Sequence, residues 1–402
     1  MKILFLSGLY PPMTRGGAEL STHYIAQGLV ARGHEVTVLA EGEKRVESHL
    51  SGVRVFRAPL GLLRKPLFEK THSRHIAHAI KREIGDLKRF DVIHAQDFRS
   101  ALALAHLKLP NTVVTARDYA QISGCTNNIL YNGSINPGCA DDPWHCHRLR
   151  EVGLPRRLAR WWQYEFNIGY RHSAFQTFPK QIFISHAQQA EIDRHQKLPG
   201  VQTTVIYNPV SSEYLSAPLA QSQPNTILYT GRCEMYKGLG LLLEAFAVLA
   251  QQNKTVQLTI AGQGAQQVDY EARVAQHSLQ YRVKFLGHLA YERVMSVYDE
   301  ADVLVAPNLW IEPFGRNVVE AMARGKTVVA ARIGGPAEVM AASQTGILFD
   351  RGSVSQLIQA LSQAVSMDQH TKREQGLRAR AWVSQHLQID KIAQQHEQFY
   401  AI

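Results

Sequence analysis

Short apolar runs alternate with helical stretches along this chain, and the series restarts halfway. "KILFLS" (Lys2–Ser7) reads as a buried strand that ends in a Gly/Pro loop. "AELSTHYIAQGLVARG" follows with helical periodicity and stops at Gly33, a C-cap residue. "HEVTVLA" (34–40), "DVIHAQ" (91–96) and "TVVTA" (112–116) are further strands, with helical patterns before and between them. After a stretch at 207–225 rich in proline and serine, the alternation begins again. There "TILYTG", "VQLTIAG", "RVKFLG", "DVLVAPN" and "KTVVAA" are strands, and "GLGLLLEAFAVLAQQ", "YERVMSVYDEA", "NVVEAMARG" and "PAEVMAA" are helices. Strands that alternate with helices predict parallel sheets covered on both faces. The expectation is an α/β chain of two doubly wound, Rossmann-like domains, over 1–208 and 209–385. Ligands of such sheets sit at the carboxyl ends of the strands, so two of them facing each other imply a central cleft.

Length supports this reading, because 402 residues suffice for two or three packed cores. No uncharged apolar run approaches the roughly 20 residues of a membrane span, and the start does not resemble a signal peptide. Four cysteines do not make a disulfide scaffold. These features predict a soluble, cytoplasmic protein. The net charge of +10 is lopsided: residues 1–208 hold 27 Lys+Arg against 17 Asp+Glu, and residues 209–402 hold 17 of each. The first half therefore calls for an anionic partner, whether nucleic acid, a membrane surface or a phosphorylated substrate.

The chemistry concentrates in the second half. In "LWIEPFGRNVVEAMARG" a strand-end loop runs into a helix whose first amides, near Gly315, Arg316, Asn317 and Val318, form an anion site. Gly315 permits close backbone approach. Glu312 precedes that helix and Glu320 lies within about its first turn. "GRCEMYKG" places Arg232 and Lys237 at the same sheet edge, an Arg fork and a Lys point charge for phosphate. "IGGPAE" adds a second glycine-rich turn into a helix. Taken singly, each cation could be a solvated surface group, and Glu320 could simply complement a helix dipole. Together, cations and amides suit a diphosphate, and the carboxylates suit hydroxyl-rich rings at its two ends. The ligand implied is a nucleoside-diphosphate sugar.

"EPFGRNVVEAMARGKTVVAARIGGPAEV" resembles the signature segment of retaining glycosyltransferases of the GT-B fold, family 4, with Glu312 and Glu320 as its E-x7-E pair. "GRCEMYKG" is similar to the family's G-R-x4-K-G segment and "LTIAGQG" to its L-x-I-x-G-x-G. "YPPMTRGGAE" resembles the glycine loop that faces the donor phosphates, here Gly16 and Gly17, and "DVIHAQD" also has a counterpart. The resemblance implies that Arg232 and Lys237 hold the diphosphate, that Glu312 contacts the transferred sugar and that Glu320 contacts the ribose. It implies that the first domain binds the acceptor and that a final helix, 386–402, packs back onto it. The donor is then a substrate, and neither a cofactor nor a metal is required. The expected partners are the donor, a sugar or lipid-linked acceptor and an anionic membrane surface, rather than nucleic acid.

Some residues depart from that pattern. The family segment T-x-H-D reads "TARD" here. Arg117 cannot act as a base but can neutralise a phosphate, while Asp118 matches and joins the candidate catalytic residues. A same-face reaction, in which the leaving phosphate takes the acceptor proton, needs no protein base. Cys125, Cys139 and Cys146 lie beside His145 and His147 without a C-x2-C pair, which suits a loop of thiols or a Cys3His zinc site. "PRRLARWWQYEF" (155–166) suits either a membrane-surface helix or an amphipathic helix with core tryptophans, and "RAPLGLLRKPLF" (57–68) is a second basic, apolar segment. The competing functions are a sugar-nucleotide epimerase of the same fold and a nucleotide-binding protein without turnover. A dinucleotide oxidoreductase is disfavoured, because "GQGAQQ" has Gln267 where the fingerprint needs glycine.

Overall fold

The computed structural model describes residues 1–14, 16–64, 68–122 and 153–402, without the side chains of 156, 157, 159–161, 163–165, 291 and 292. The chain divides into two compact units, Met1–Pro209 with Ile389–Ile402, and Val210–Gln388.

In the first unit the described elements run β1 (Lys2–Ser7), α1 (Gly17–Ala31), β2 (Glu35–Glu41), β3 (Val46–Leu50), β4 (Val53–Ala58), α2 (Glu69–Ile84), β5 (Val92–Ala95), α3 (Phe98–Ala105) and β6 (Thr112–Ala116). They continue with α4 (Leu154–Phe175), β7 (Lys180–Phe183), α5 (His186–His195) and β8 (Gln202–Val205). The sheet order is β3-β4-β2-β1-β5-β6-β7-β8, parallel except for the β3–β4 pair. Side chains alternate across a strand, and β1 shows why its sequence is apolar without a break. Leu4 and Leu6 enter one core with α2 and α3, whereas Ile3 and Phe5 enter another with α1 and the last helix, α14 (Ile389–Ala401).

That last helix is fastened in two ways. Gly28 lets it approach, since a Cβ there would lie 2.7 Å from the Ala393 Cβ. Arg32 bridges Asp390 at 2.9 Å and Glu397 at 2.7 Å.

The second unit runs α6 (Ser212–Ser216), β9 (Thr226–Thr230), α7 (Leu239–Gln252), β10 (Gln257–Ala261), α8 (Gln267–Gln276), β11 (Val283–Gly287), α9 (Tyr291–Glu300) and β12 (Val303–Ala306). After these come α10 (Arg316–Ala323), β13 (Thr327–Ala331), α11 (Gly334–Ser343), β14 (Ile347–Phe349), α12 (Val354–Ser366) and α13 (Gln369–His386). Its sheet is wholly parallel, in the order β11-β10-β9-β12-β13-β14. Connectivity reverses between β9 and β12, as it does between β1 and β5 in the first unit. Such switch points open the crevice in which doubly wound sheets take their ligands.

The stretch read as a linker is more ordered than its composition suggests. From Val210 it belongs to the second unit, where the Arg324 guanidinium donates to the carbonyls of Tyr214, Ala217 and Pro218 and Arg380 donates to those of Leu215 and Ala217. The cysteine loop lies outside the described residues.

Candidate active site

Both segments singled out in the second half meet at its switch point. The loop after β9 carries Arg232 and Lys237, and the loop after β12 carries Glu312. Leu309 N–H donates to the Tyr236 carbonyl at 2.9 Å and fixes one loop against the other. Lys237 Nζ forms an ion pair with Glu312 Oε2, which also accepts the Trp310 indole N–H at 2.9 Å. The same ammonium sits 5.0 Å from the centre of the Trp310 ring. Both partners of the pair are partly exposed, at 18% and 16% of their side chains, so a ligand can reach them. Arg232 is exposed, with its guanidinium 5.5 Å from the Tyr236 ring centre.

Helix α10 opens at Gly315, whose φ of 80° is in the left-handed region. A Cβ there would lie 2.4 Å from Pro336 Cγ, in the first turn of α11. The second amide of α11 is committed elsewhere: Gly335 N–H donates to the Glu312 carbonyl at 2.8 Å and so positions that residue. One amide expected at the anion site is used within α10 itself. Val318 N–H donates back to Gly315 O at 3.0 Å, because the helix begins with a tight turn. Its outward amides therefore precede Val318. The Asn317 side chain donates to Thr230 O at 3.0 Å and ties α10 to the end of β9.

Glu320 lies in the second turn of α10 and is buried. Arg316 Nε approaches its Oε1 at 2.7 Å and the Tyr298 hydroxyl its Oε2 at 3.2 Å. Burial raises its pKa above the usual carboxylate value, while Arg316 and the Tyr298 hydrogen bond pull it down. Tyr298 and Trp310 escaped the sequence reading. Each lies far along the chain from one of its partners, and no local pattern marks it.

In the first unit, Gly16 and Gly17 stand at the start of α1, and the Gly16 amide donates to Glu19 Oε2 at 3.1 Å. The loop after β1 reaches the switch point through Gly8, whose N–H donates to Asp97 Oδ2 at 2.7 Å. Arg117 donates to Asn208 Oδ1, to Gln96 Oε1 at 2.5 Å and to Thr22 Oγ1 at 3.4 Å. Those neutral oxygens hold its plane at the carboxyl edge of the sheet. Asp118 follows directly, half-buried, with Oδ1 accepting Ala120 N–H at 2.8 Å. Burial pushes its carboxyl up to about 6, against the pull of Ala120 N–H and Arg171.

A pair of doubly wound units, one of them with a cationic, carboxylate-bearing switch point, defines the GT-B class of glycosyltransferases. The chain belongs to the family of glycosyl transferases group 1, whose profile matches residues 211–382, while that of glycosyltransferase family 4 matches residues 15–214. It is 27% identical over 364 residues to an uncharacterised glycosyltransferase of Methanocaldococcus jannaschii, covering 86% of this chain and 84% of that one. It is 28% identical over 374 residues to the glycogen synthase of Mycobacterium tuberculosis, covering 86% and 82%. The fold matches sucrose-phosphate synthase from Thermosynechococcus elongatus (TM-score 0.72, 19% identity, 100% and 98% of the chains). It also matches HepE of Anabaena in complex with UDP and glucose (TM-score 0.67, 21% identity, 100% and 99%).

Proposed function

We propose that this protein is a retaining, metal-independent glycosyltransferase. It moves a sugar from a nucleoside-diphosphate sugar to a lipid-linked or polysaccharide acceptor at the cytoplasmic face of a membrane. The second unit takes the donor and the first the acceptor. The observation that carries this reading is the Lys237–Glu312 pair at the β9/β12 switch point, beside Arg232 and the start of α10. HepE was solved with UDP and with UDP-glucose, so a uridine diphosphate sugar is the first donor to test.

The chemistry follows from charge. As the bond between the anomeric carbon and the diphosphate oxygen breaks, negative charge grows on the leaving oxygen. Lys237, Arg232 and the first amides of α10 stabilise that charge where a divalent ion would otherwise do so. The incoming diphosphate draws Lys237 away from Glu312 and leaves its carboxylate to accept sugar hydroxyls. Glu320 performs the same service for the ribose. The acceptor oxygen bonds to the anomeric carbon on the face the diphosphate leaves, and its proton passes to the departing phosphate. No side chain need act as base, which is consistent with Arg117 standing where a histidine would.

The membrane reading rests on α4. Leu154, Leu158, Trp162 and Phe166 recur at intervals of four and are exposed, Trp162 at 66%. Phe68 meets Phe166 edge to face at 5.8 Å and widens the stripe. Arginines stand in the same stretch of sequence at 156, 157 and 160. An apolar stripe on a basic helix suits an anionic bilayer surface. Among the described residues no helix is long and apolar enough to cross a membrane.

NMR of the first-formed product tests the mechanism. The expected product keeps the anomeric configuration of the donor sugar and forms in the presence of EDTA. An inverted anomer, or activity that EDTA abolishes and magnesium or manganese restores, would overturn it.

A further inference from the structure

The second unit holds a cavity of about 400 Å³ at the edge of its sheet opposite the candidate active site. Asp302 precedes β12, Lys326 precedes β13 and Thr327 opens it, so the cavity lies at the amino ends of strands whose carboxyl ends carry the candidate active site. The first turns of α13 supply Lys372 and Arg373, and Leu219 and Leu377 add aliphatic wall.

Its charges do not balance. Arg324, Lys326 and Lys372 are all buried, at 2%, 5% and 6% exposure. Arg324 is held by Asp299 in a bidentate pair, at 2.7 and 3.1 Å. Lys372 Nζ meets Asp302 Oδ2 at 2.6 Å. Lys326 Nζ has only the Asp299 carbonyl, at 2.8 Å, and forms no ion pair among the described residues. Three buried cations therefore share two carboxylates, and Arg373 adds a fourth positive charge from the exposed side. Burying a charge without a partner is unfavourable, and an anion entering the cavity would supply one. Thr327 Oγ1, also lining the cavity and buried, has no hydrogen-bond partner among the described residues. Burial lowers the Lys326 pKa, helped by Arg324 and opposed by Asp299 and Asp302.

We propose that this cavity is a second ligand site, for a small phosphomonoester of a polyol such as a sugar phosphate. Lys326 and Arg373 would take the phosphate and Thr327 a further oxygen. The volume lies within the range of small-molecule sites and exceeds what a bare phosphate fills. The site also adjoins the donor machinery through one element. Helix α10 carries Glu320 and ends at Arg324 in the cavity wall, where Arg324 N–H donates to Glu320 O at 3.1 Å. A ligand there touches the helix that shapes the donor site, so binding at either site should alter affinity at the other by the same factor.

Isothermal titration of the full chain with glucose 6-phosphate, inorganic phosphate and glucose tests the proposal. It is run on wild type, on the donor-edge variant Arg232→Ser/Lys237→Ala, and on Arg373→Gln and Thr327→Val. Glucose 6-phosphate should bind wild type and the donor-edge variant alike, more tightly than phosphate, and glucose should not bind. Arg373→Gln, at an exposed position, should weaken it about tenfold, and Thr327→Val measurably. Binding lost in the donor-edge variant, unchanged in both cavity variants, or absent from wild type would overturn the proposal. Equal affinity for phosphate and glucose 6-phosphate would overturn the sugar-phosphate assignment.

Discussion

Asp118 shows how much a single position can conceal. Its identity and its place after β6 were legible in the sequence, but its protonation was not, because burial raises its pKa and burial is a property of the fold. The folded value of about 6 lies above the ordinary 3.8. Its contribution to stability is therefore full below about pH 4 and is lost as pH rises through 6. Asp118→Asn, which cannot ionise, should match wild type in denaturation at pH 4 and gain on it above pH 6. If the ionised carboxylate serves the reaction, the acid limb of the rate profile near pH 6 disappears in the same variant. A limb that persists would remove Asp118 from the catalytic set. Val318 shows the opposite case. Sequence counted its amide as a phosphate donor, and the tight first turn of α10 spends it on Gly315.

Among the elements, strands with unbroken apolar runs were read directly, since both faces of a parallel sheet are buried. Strand β7 was missed because Gln181 interrupts "KQIF". It is fully buried, and its side-chain amide donates to Gln121 at 2.8 Å, an arrangement visible only after folding. The β3–β4 pair lies off the strand–helix alternation that guided the reading, and β14, which keeps to it, is only three residues long. The cavity at the amino ends of β12 and β13 was illegible for a different reason. It gathers residues from 219 to 377 that no spacing rule connects. The turn at Gly315 was legible as glycine, and the structure supplies the cause. Gly315→Ala must place a Cβ in the left-handed region and against Pro336. It should cost about 2–4 kcal/mol in chemical denaturation and weaken nucleotide binding as the start of α10 shifts. A variant with wild-type stability would show that the turn tolerates a side chain.

For the molecule as a whole, the excess of positive charge in residues 1–208 and the exposed stripe of α4 fall in the same unit. Lysines and arginines close to an anionic bilayer contribute about 1 kcal/mol each, screened over roughly 8 Å at physiological salt. The protein should sediment with vesicles containing anionic lipid, not with neutral ones, and added salt should release it. Trp162→Ser should weaken that binding without lowering the thermal midpoint, as expected of an exposed side chain. Indifference to anionic vesicles at low salt would reject membrane docking and favour a soluble, phosphorylated acceptor.

The placement of catalysis at the β9/β12 switch point is tested most directly at Glu312. Lys237 and Trp310 hold its partly exposed carboxylate, which the proposed function assigns to the sugar, while Glu320 is buried with Arg316 and Tyr298. The two glutamates should therefore respond differently to substitution. Steady-state kinetics of Glu312→Gln, paired with titration of UDP, should show turnover reduced about a hundredfold or more with UDP affinity retained. Near-normal turnover in that variant would contradict the assignment of the active site.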